Sequence, residues 1–382
     1  MTSAPPTLQH RLAQLFELGR GGEAANMRPM EGLRGFAVFL VFLVHFATLI
    51  KPWILKHPAL QAFAEMLHSI GNTGVDLFFV LSGYLIYGSL IARPQPFVSF
   101  MSRRIRRIYP AFAVVFALYI ALSALFPAEN KIPGPATAAL WYLLQNFLLL
   151  PGIFDIEPMI TVAWSLSYEL FYYLSIPLLI VACGLRERSP AQRIAFFAAL
   201  TVLTLVYCAM YGGHVRLIMF LSGVLLHEVM QHVRSPAPSG WVGGLALLAG
   251  LLVTLLPLRG TAGHALEIGV LFIAFFILCL TCFRDPGRWL PTAFSWTPLR
   301  WLGNMSYSYY LLHGLALKAA FFVLAAIVPT TVNGHAMFWL MLPAMFVLTL
   351  VPSAVLFAVV EKPLSLNVRP SRAKRLATGG AR

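Results

Sequence analysis

One ionisable side chain, His45, closes an otherwise apolar run near the start of the chain. Residues 28–46 read RPMEGLRGFAVFLVFLVHF, with nine apolar residues directly before the histidine. Ionisable groups inside a bilayer are costly and usually functional, and imidazole exchanges a proton near neutral pH. Arg34 lies eleven residues earlier, about 16 Å along a helix. If Arg34 marks the membrane surface, His45 lies near the middle of a hydrocarbon core about 30 Å thick, where it could transfer protons.

A second histidine, His313, is predicted at a similar depth in a later segment. Residues 300–313 read RWLGNMSYSYYLLH, and four polar residues recur at helical spacing. They form one stripe that should face the bundle interior: Ser306, Tyr309, Tyr310 and His313. The matching depths predict a cavity shared by the two histidines, and a histidine with a purely structural role is the alternative.

Two other segments set acids and hydroxyls into apolar helices. Residues 164–173, WSLSYELFYY, contain one acid, Glu169, which could orient or protonate His45 or contact a substrate hydroxyl; an interfacial carboxylate is the alternative. In GVDLFFVLSGY, residues 74–84, Asp76 could be functional or interfacial, and Ser82 with its neighbouring glycine favours close helix packing. The candidates for substrate contact are Asp76, Ser82, Tyr84, Tyr168, Tyr309 and His313.

The densest cationic cluster lies within FMSRRIRRIYP, residues 100–110. Its members are Arg103, Arg104, Arg106 and Arg107. Arginine forks bind phosphate oxygens through two parallel hydrogen bonds, so a phosphate-bearing ligand is the functional interpretation. The alternative is a topology anchor bound to lipid headgroups.

The composition is that of a polytopic membrane protein. Of 382 residues, 59% are hydrophobic and 11% are charged, whereas soluble domains average about a quarter charged residues. An all-α bundle of about ten transmembrane helices is predicted, with a further apolar segment at 137–151 that does not span. The predicted spans are 34–50, 72–92, 108–126, 168–185, 191–211, 215–231, 241–257, 263–283, 303–328 and 336–360.

The charge distribution predicts the orientation. The net charge is +14, and with 137–151 outside the membrane, 22 of the 28 lysines and arginines fall on one side. Basic loops face the cytoplasm, so both termini are expected on the cytoplasmic side of the cell membrane. The positive charge is thereby interpreted as a signal of topology, and no nucleic-acid partner is expected. The predicted division is an N-terminal segment at 1–27, a membrane domain at 28–363 and a basic flexible tail at 364–382. Residues 8–20 could form an interfacial helix or a disordered tail.

The four cysteines give no reason to expect a metal. Cys279 and Cys282 have CxxC spacing, but no second pair or nearby histidine completes a site. We therefore interpret them as small core residues, and expect neither a metal nor a tightly bound cofactor.

The ordered set of motifs resembles the membrane-bound acyltransferase 3 family, which O-acylates sugars and related acceptors. The spacing from Arg34 to His45 is similar to the signature of that family. The stretches GVDLFFVLSGYLI, FMSRRIRRIYP, WSLSYELFYY and SYSYYLLH follow in the expected order, and Glu361-Lys362-Pro363 closes the series. The resemblance covers residues 28–363.

This resemblance implies an acyl-CoA cosubstrate, usually acetyl-CoA, used from the cytoplasm. The acceptor would be a hydroxyl of a carbohydrate, a glycolipid or a natural product. It also implies that His45 is the catalytic base, that Arg34 is its partner in the motif, and that the four arginines contact the CoA phosphates. Some members carry a fused extracytoplasmic domain, which this chain is expected to lack, and that expectation counts against a two-domain relay. No Ser-His-Asp or Cys-His arrangement is suggested, so direct transfer is favoured over a covalent intermediate.

Two other classes of protein remain open at this stage. A proton-coupled transporter or flippase would use His45, Glu169 and His313 as a proton relay. A non-catalytic, lipid-binding membrane scaffold is the third possibility. The grouping of four arginines at one end of the predicted bundle favours an enzyme with a phosphorylated cosubstrate over both of these classes.

Overall fold

The computed structural model describes residues 7–18, 24–234, 236–331 and 334–366, so most of the predicted tail at 364–382 lies outside the described residues. Within the described ranges the secondary structure is helical. The α-helices are α1 Leu8–Phe16, α2 Ala24–Leu49, α3 Pro58–Ile91, α4 Phe97–Leu125, α5 Ala136–Phe147, α6 Trp164–Ala182, α7 Pro190–Tyr211, α8 Ile218–His232, α9 Gly240–Val253, α10 Gly260–Arg284, α11 Trp289–Phe294, α12 Thr297–Asn304, α13 Ser306–Ile327 and α14 His335–Leu356, which continues as π-helical turns over Phe357–Leu366.

The predicted all-α membrane bundle is confirmed, and a helix lies at each of the ten predicted spans. In the described part of the chain, eight helical segments are long and apolar enough to cross a membrane. They are Arg28–Leu49, Pro58–Ile91, Phe97–Leu125, Thr161–Ala182, Pro190–Tyr211, Gly260–Arg284, Ser306–Ile327 and His335–Leu366.

The other two helices, α8 and α9, are shorter than predicted. They have 15 and 14 residues, about 22 and 21 Å, which is less than the thickness of a hydrocarbon core. Helix α8 is buried from Ile218 to Leu226 and contacts α3, α7 and α10. A helix surrounded by protein is apolar because of packing, so its hydropathy resembles that of a span without requiring the length of one.

The predicted non-spanning segment, 137–151, forms the 12-residue helix α5 and a turn. The helix is about 18 Å long, too short to cross. Its end packs against the middle of α4, where the Tyr109 hydroxyl donates to the Phe147 carbonyl at 3.2 Å. The turn that follows holds Leu149 at φ 56°, in the left-handed region, and this residue reverses the chain direction.

Glycines allow the central helices to approach at backbone distance. At Gly83 of α3 an added Cβ would overlap the Phe220 carbonyl of α8, and at Gly223 of α8 it would overlap the Val80 carbonyl. This bears out close packing as the reason for a glycine after Ser82. Helix α12 contacts α2 in the same way, because a Cβ at Gly303 would overlap the Glu31 carbonyl.

The helix α1 is held by hydrogen bonds from residues that lie much later in the sequence. Lys362 donates to the carbonyls of Gln14 and Leu15 at 2.7 and 2.6 Å, and so caps the last turn of α1. Just beyond the helix, the Glu17 carboxylate accepts from Arg300 at 2.8 Å. Residues 8–16 of the predicted interfacial segment are therefore a docked helix.

Candidate active site

The two buried histidines are in contact. His45 near the end of α2 and His313 in the second turn of α13 have ring centroids 5.0 Å apart, at an interplanar angle of 66°. This shared depth was predicted by counting residues from Arg34 and from Arg300; Arg34 and His45 do share α2, whereas Arg300 lies in α12, a separate helix from that of His313. His45 is partly exposed, and no described residue forms a hydrogen bond with its ring, so both of its nitrogens are available to a substrate.

His313 is held in one tautomer by its own helix. Its Nδ1 lies 2.9 Å from the carbonyl oxygens of Tyr309 and Tyr310. Carbonyl oxygens only accept hydrogen bonds, so Nδ1 carries the proton and Nε2 keeps its lone pair. That Nε2 is buried and has no hydrogen-bond partner among the described residues. The lone pair of this buried nitrogen beside His45 is therefore available to accept a hydrogen bond from a substrate group.

Arg34 lies on the same face of α2 as His45, but three turns away. Eleven residues rotate a helix by three turns and about 20°, and separate the two side chains by about 16 Å along the axis. The Nε and Nη2 atoms of Arg34 donate to the Ser306 hydroxyl at 3.2 and 3.0 Å. Arg34 therefore faces the start of α13, about 16 Å along α2 from His45.

The four arginines of α4 divide into two pairs. Arg103 and Arg106 are exposed, and Arg103 donates to Ser99 and Gln95 of its own helix and the preceding loop. Arg104 faces inward, with its guanidinium carbon 5.4 Å from the centroid of the Tyr173 ring. Arg107 also faces inward and forms an ion pair with Glu361 at 2.5 Å. Residues three apart share a helix face, so the inward pair is Arg104 and Arg107.

Glu361 is a residue to which the sequence analysis gave no role beyond its place in the motif series. Its side chain is fully buried in the π-helical turns after α14. Besides the ion pair with Arg107, it accepts hydrogen bonds from the backbone NH and hydroxyl of Ser308, at 3.0 and 2.5 Å. A carboxylate within a long apolar segment was the available signal, since buried charges require partners. π-Helical turns are frequent at functional sites.

Glu169 lies near the inward arginines. It accepts from the hydroxyl of Tyr173, one turn further along α6, at 2.5 Å, and the Tyr173 ring in turn contacts Arg104. Its described hydrogen bond therefore connects it to the arginine end, and none connects it to His45. The predicted catalytic role of Glu169 stays a prediction.

The polar stripe of α13 links the two ends of the site. Ser306 contacts Arg34, and Tyr307 beside it packs under Arg107, with 5.5 Å between the guanidinium carbon and the ring centroid. Two turns later, about 10 Å along the axis, His313 contacts His45. Between them, the hydroxyl of Tyr310 lies 2.7 Å from that of Ser165. One helix thus joins the arginines to the histidines.

The remaining predicted substrate contacts lie in three places. The Tyr309 hydroxyl bonds to Thr349 of α14 at 2.8 Å, and its ring stacks on His313. Tyr84 packs against His227 and Phe283, on the side of α3 that faces α8 and α10. Ser82 is partly exposed on α3. Asp76 and Tyr168 line or support a separate cavity near the start of α6, and their substrate roles stay predictions.

No group of three or more histidine, cysteine or acidic side chains that could hold a metal occurs within the described ranges. Cys208, Cys279 and Cys282 are buried and Cys183 is partly buried, all as free thiols.

The fold and this constellation define a membrane-embedded group-transfer domain, with a cationic mouth at one end and a histidine pair inside an apolar bundle. A family profile described as an acyltransferase domain matches residues 29–358. Because this match covers most of the chain, the protein belongs to the acyltransferase 3 family, as the motifs implied. The chain is thus a membrane protein that carries an acyltransferase domain.

Curated relatives agree with this assignment. The chain is 27% identical over 276 residues to "Peptidoglycan O-acetyltransferase OatA" of Listeria monocytogenes, covering 64% of this chain and 44% of that protein. It is 27% identical over 327 residues to "Putative peptidoglycan O-acetyltransferase YrhL" of Bacillus subtilis, covering 77% and 50%. "O-acetyltransferase OatA" of Staphylococcus aureus is 27% identical over 319 residues, covering 74% and 49%. The chain spans about half the length of these relatives, and no solved structure matches it.

Proposed function

We propose that this domain transfers an acyl group, typically acetyl, from cytoplasmic acyl-CoA to a hydroxyl of a carbohydrate acceptor. The observation that carries the proposal is the pairing of His45 with His313, joined through α13 to the inward arginines. The reaction needs a base in apolar surroundings and a phosphate-binding group of cations, and here α13 contacts both.

In the proposed reaction His45 acts as the general base. An alcohol is a poor nucleophile until a base removes its proton as it attacks. A nitrogen of His45 takes the acceptor hydroxyl proton, the oxygen forms a bond to the thioester carbonyl carbon, and the carbon–sulfur bond breaks. The proton on the imidazolium then returns to the departing CoA thiolate. The products are an ester and free CoA, and no covalent enzyme intermediate is required.

The donor would bind at the arginine end. CoA carries several phosphate groups, and Arg104, Arg107 and the exposed Arg103 and Arg106 concentrate positive charge there. Arg34 is positioned to contact the same donor further inside, because it faces the start of α13 beside Tyr307. Acyl-CoA would be a cosubstrate that is consumed in each turnover, and free CoA would leave.

The acceptor class rests on the relatives, whose names specify O-acetyl transfer to peptidoglycan. A cell-surface polysaccharide or a glycolipid is therefore the proposed acceptor. Membership of the acyltransferase family supports this enzyme over the transporter or flippase that the sequence left open. The direct test is consumption of radiolabelled acetyl-CoA by purified protein in lipid discs, with and without a lipid-linked sugar. Absence of both acyl transfer and acetyl-CoA hydrolysis would reject the proposal.

The exposed arginines should be tested as a pair. Replacing both, Arg103→Gln and Arg106→Gln, should raise the KM for acetyl-CoA about tenfold, because each exposed contact between opposite charges that is lost weakens binding by roughly 0.7 kcal/mol. The KM for the acceptor should change much less. Both side chains are exposed, so the fold should not depend on them.

The matched control is Arg93→Gln with Arg188→Gln, which removes the same charge from exposed positions outside the cluster. If the two double variants change the KM for acetyl-CoA equally, the arginine cluster does not bind CoA specifically and acts only as a general positive charge or as an anchor to lipid headgroups.

Both termini are proposed to face the cytoplasm, in agreement with a cytoplasmic donor. A cysteine introduced as Ser371→Cys, in the tail outside the described residues, should resist a membrane-impermeant maleimide in intact cells and react after lysis. Arg259→Cys, exposed in the loop before α10, should react in intact cells. A Cys183→Ser background is sufficient, since the other three thiols are buried. Labelling of Ser371→Cys in intact cells would overturn the orientation.

A further inference from the structure

A second cavity, distinct from the histidine site, lies at the opposite end of α6 from the inward arginines. Its volume is about 340 Å³. Trp164 opens α6 at this cavity, whereas Tyr173, the contact of Arg104, lies nine residues and about 13 Å further along the helix. The residues that line it and matter here are Asn72, Trp164, Tyr168, His214, Arg216 and His264. His214 is exposed, so the cavity is accessible from outside the bundle.

Arg216 is fixed in this cavity by a buried acid. Its Nη1 lies 3.5 Å from Asp76 Oδ2 and 3.5 Å from the Asn72 carbonyl, and its guanidinium carbon lies 5.9 Å from the centroid of the Trp164 ring. Asp76 is fully buried, and neither of its carboxylate oxygens forms a hydrogen bond with a described residue. A buried carboxylate requires a cationic partner, so Asp76 accounts for the position of Arg216.

One edge of this guanidinium remains available. Both described polar contacts of Arg216 use Nη1, and Nε and Nη2 have no acceptor among the described residues. The Nε and Nη2 groups form the side edge of the guanidinium, whose two parallel NH groups match the two oxygens of a carboxylate. The side chain is 20% exposed and lines the cavity, so a ligand can reach this edge.

The other lining groups are polar or aromatic. The Tyr168 hydroxyl lies 2.7 Å from Nδ1 of His214, which leaves the second nitrogen of His214 for a ligand. Asn72 contributes an amide and Trp164 an indole. This mixture of planar polar groups and aromatic rings suits an oxygen-rich ring compound, and it does not suit an acyl chain.

The cavity wall is connected to the histidine pair. Ser165, the residue after Trp164, contacts the hydroxyl of Tyr310 at 2.7 Å, and the Tyr310 ring centroid lies 6.2 Å from that of His313. On the other wall, Asn72 contacts His68, one turn earlier on α3, at 3.4 Å. A polymer or extended glycan held here would have its neighbouring units close to the reacting centre.

We propose that this cavity binds a carboxylate-bearing sugar unit of the acceptor through the Nε–Nη2 edge of Arg216. The proposal rests on the function proposed above and adds the substrate-side recognition site and its chemical class. Arg216 is a binding residue, and Asp76 positions it.

The test uses Arg216→Lys, which keeps the positive charge beside Asp76 and therefore the buried ion pair, but removes the two-pronged edge. The probes are glucuronic acid-terminated and glucose-terminated disaccharides, which differ only in a carboxylate against a hydroxymethyl group. Binding to purified full-length protein is measured by equilibrium dialysis. The wild-type protein should prefer the acidic disaccharide about tenfold, and Arg216→Lys should lose that preference. Arg259→Lys, exposed at the same end of the bundle, should retain it.

Failure of the wild-type protein to bind the acidic disaccharide more tightly, or an unchanged preference in Arg216→Lys, would overturn the proposal. Binding is measured without acetyl-CoA, so this outcome is separate from a failure of the proposed acyl transfer. A second readout is acetyl-CoA hydrolysis in the absence of acceptor. It should be equal in the wild-type protein and in Arg216→Lys, because the donor end is unaltered, and a parallel loss of hydrolysis would indicate a structural role instead.

Discussion

His45→Gln should leave the domain folded and reduce acyl transfer about 10²–10⁴-fold, the usual contribution of a positioned general base. Glutamine has a similar size and polarity to histidine, but its amide cannot take up the acceptor proton. No described residue forms a hydrogen bond with the His45 ring, so the substitution removes no such bond from the fold. The measurement is turnover at saturating donor and acceptor, with thermal unfolding as the check on folding.

The chain contains a matched control for this substitution. His57 and His335 also form an edge-to-face ring pair, with centroids 5.3 Å apart, beyond the C-terminal end of α2. His57→Gln therefore makes the same change in the same kind of contact outside the site, and it should retain full turnover. Near-normal turnover in His45→Gln would make His45 structural, and His313 or Glu169 would be the next base to examine.

Glu361→Ala should destabilise the protein by about 3–5 kcal/mol, the cost of leaving a buried charge without its partner. Arg107 would lose its ion pair, and two hydrogen-bond donors of Ser308 would lose their acceptor. Arg107 is a quarter exposed, so the lower end of the range is expected. The measurement is the free energy of unfolding in detergent, together with the yield of folded protein.

The double variant Arg107→Met with Glu361→Leu separates stability from function. Replacing both partners by apolar residues of similar size removes the unpaired charge, so much of the stability should return. Acyl transfer should stay low, because an inward donor contact is gone. Glu129→Ala, which breaks the exposed ion pair with Lys318, should cost about 1 kcal/mol or less. Full transfer activity in the double variant would show that Arg107 serves only the fold.

The helices of this protein could be predicted from hydropathy because each span has to satisfy its own backbone and face apolar surroundings. The length of α8 could not be predicted in this way. Protein and lipid both select apolar residues, so composition does not distinguish a helix wrapped by α3, α7 and α10 from one that crosses a bilayer.

The contact of His45 with His313 agrees with the predicted shared depth, but a fixed rise per residue accounts only for the depth of His45, because the count from Arg300 to His313 crosses the break between α12 and α13. The identity of the inward-facing arginines was not predictable, because it depends on how α4 is rotated relative to the helices that pack against it. Glu361 forms an ion pair with Arg107, which lies 254 residues away in the sequence, and Arg216 forms one with Asp76, which lies 140 residues away. Such pairings follow from the tertiary arrangement, and periodicity within one helix carries no information about them.

The hydrogen bonds that hold α1 have a consequence for when this helix can dock during synthesis of the chain. Arg300, which bonds to Glu17 just beyond α1, is synthesised after eight of the ten predicted spans, and Lys362, which caps α1, is synthesised after all ten. Contacts so distant in sequence form late, and α1 must wait undocked while the helices between them insert. Docking of α1 therefore requires synthesis as far as Lys362. Protection of α1 from protease during translation would show when this segment has been made and packed.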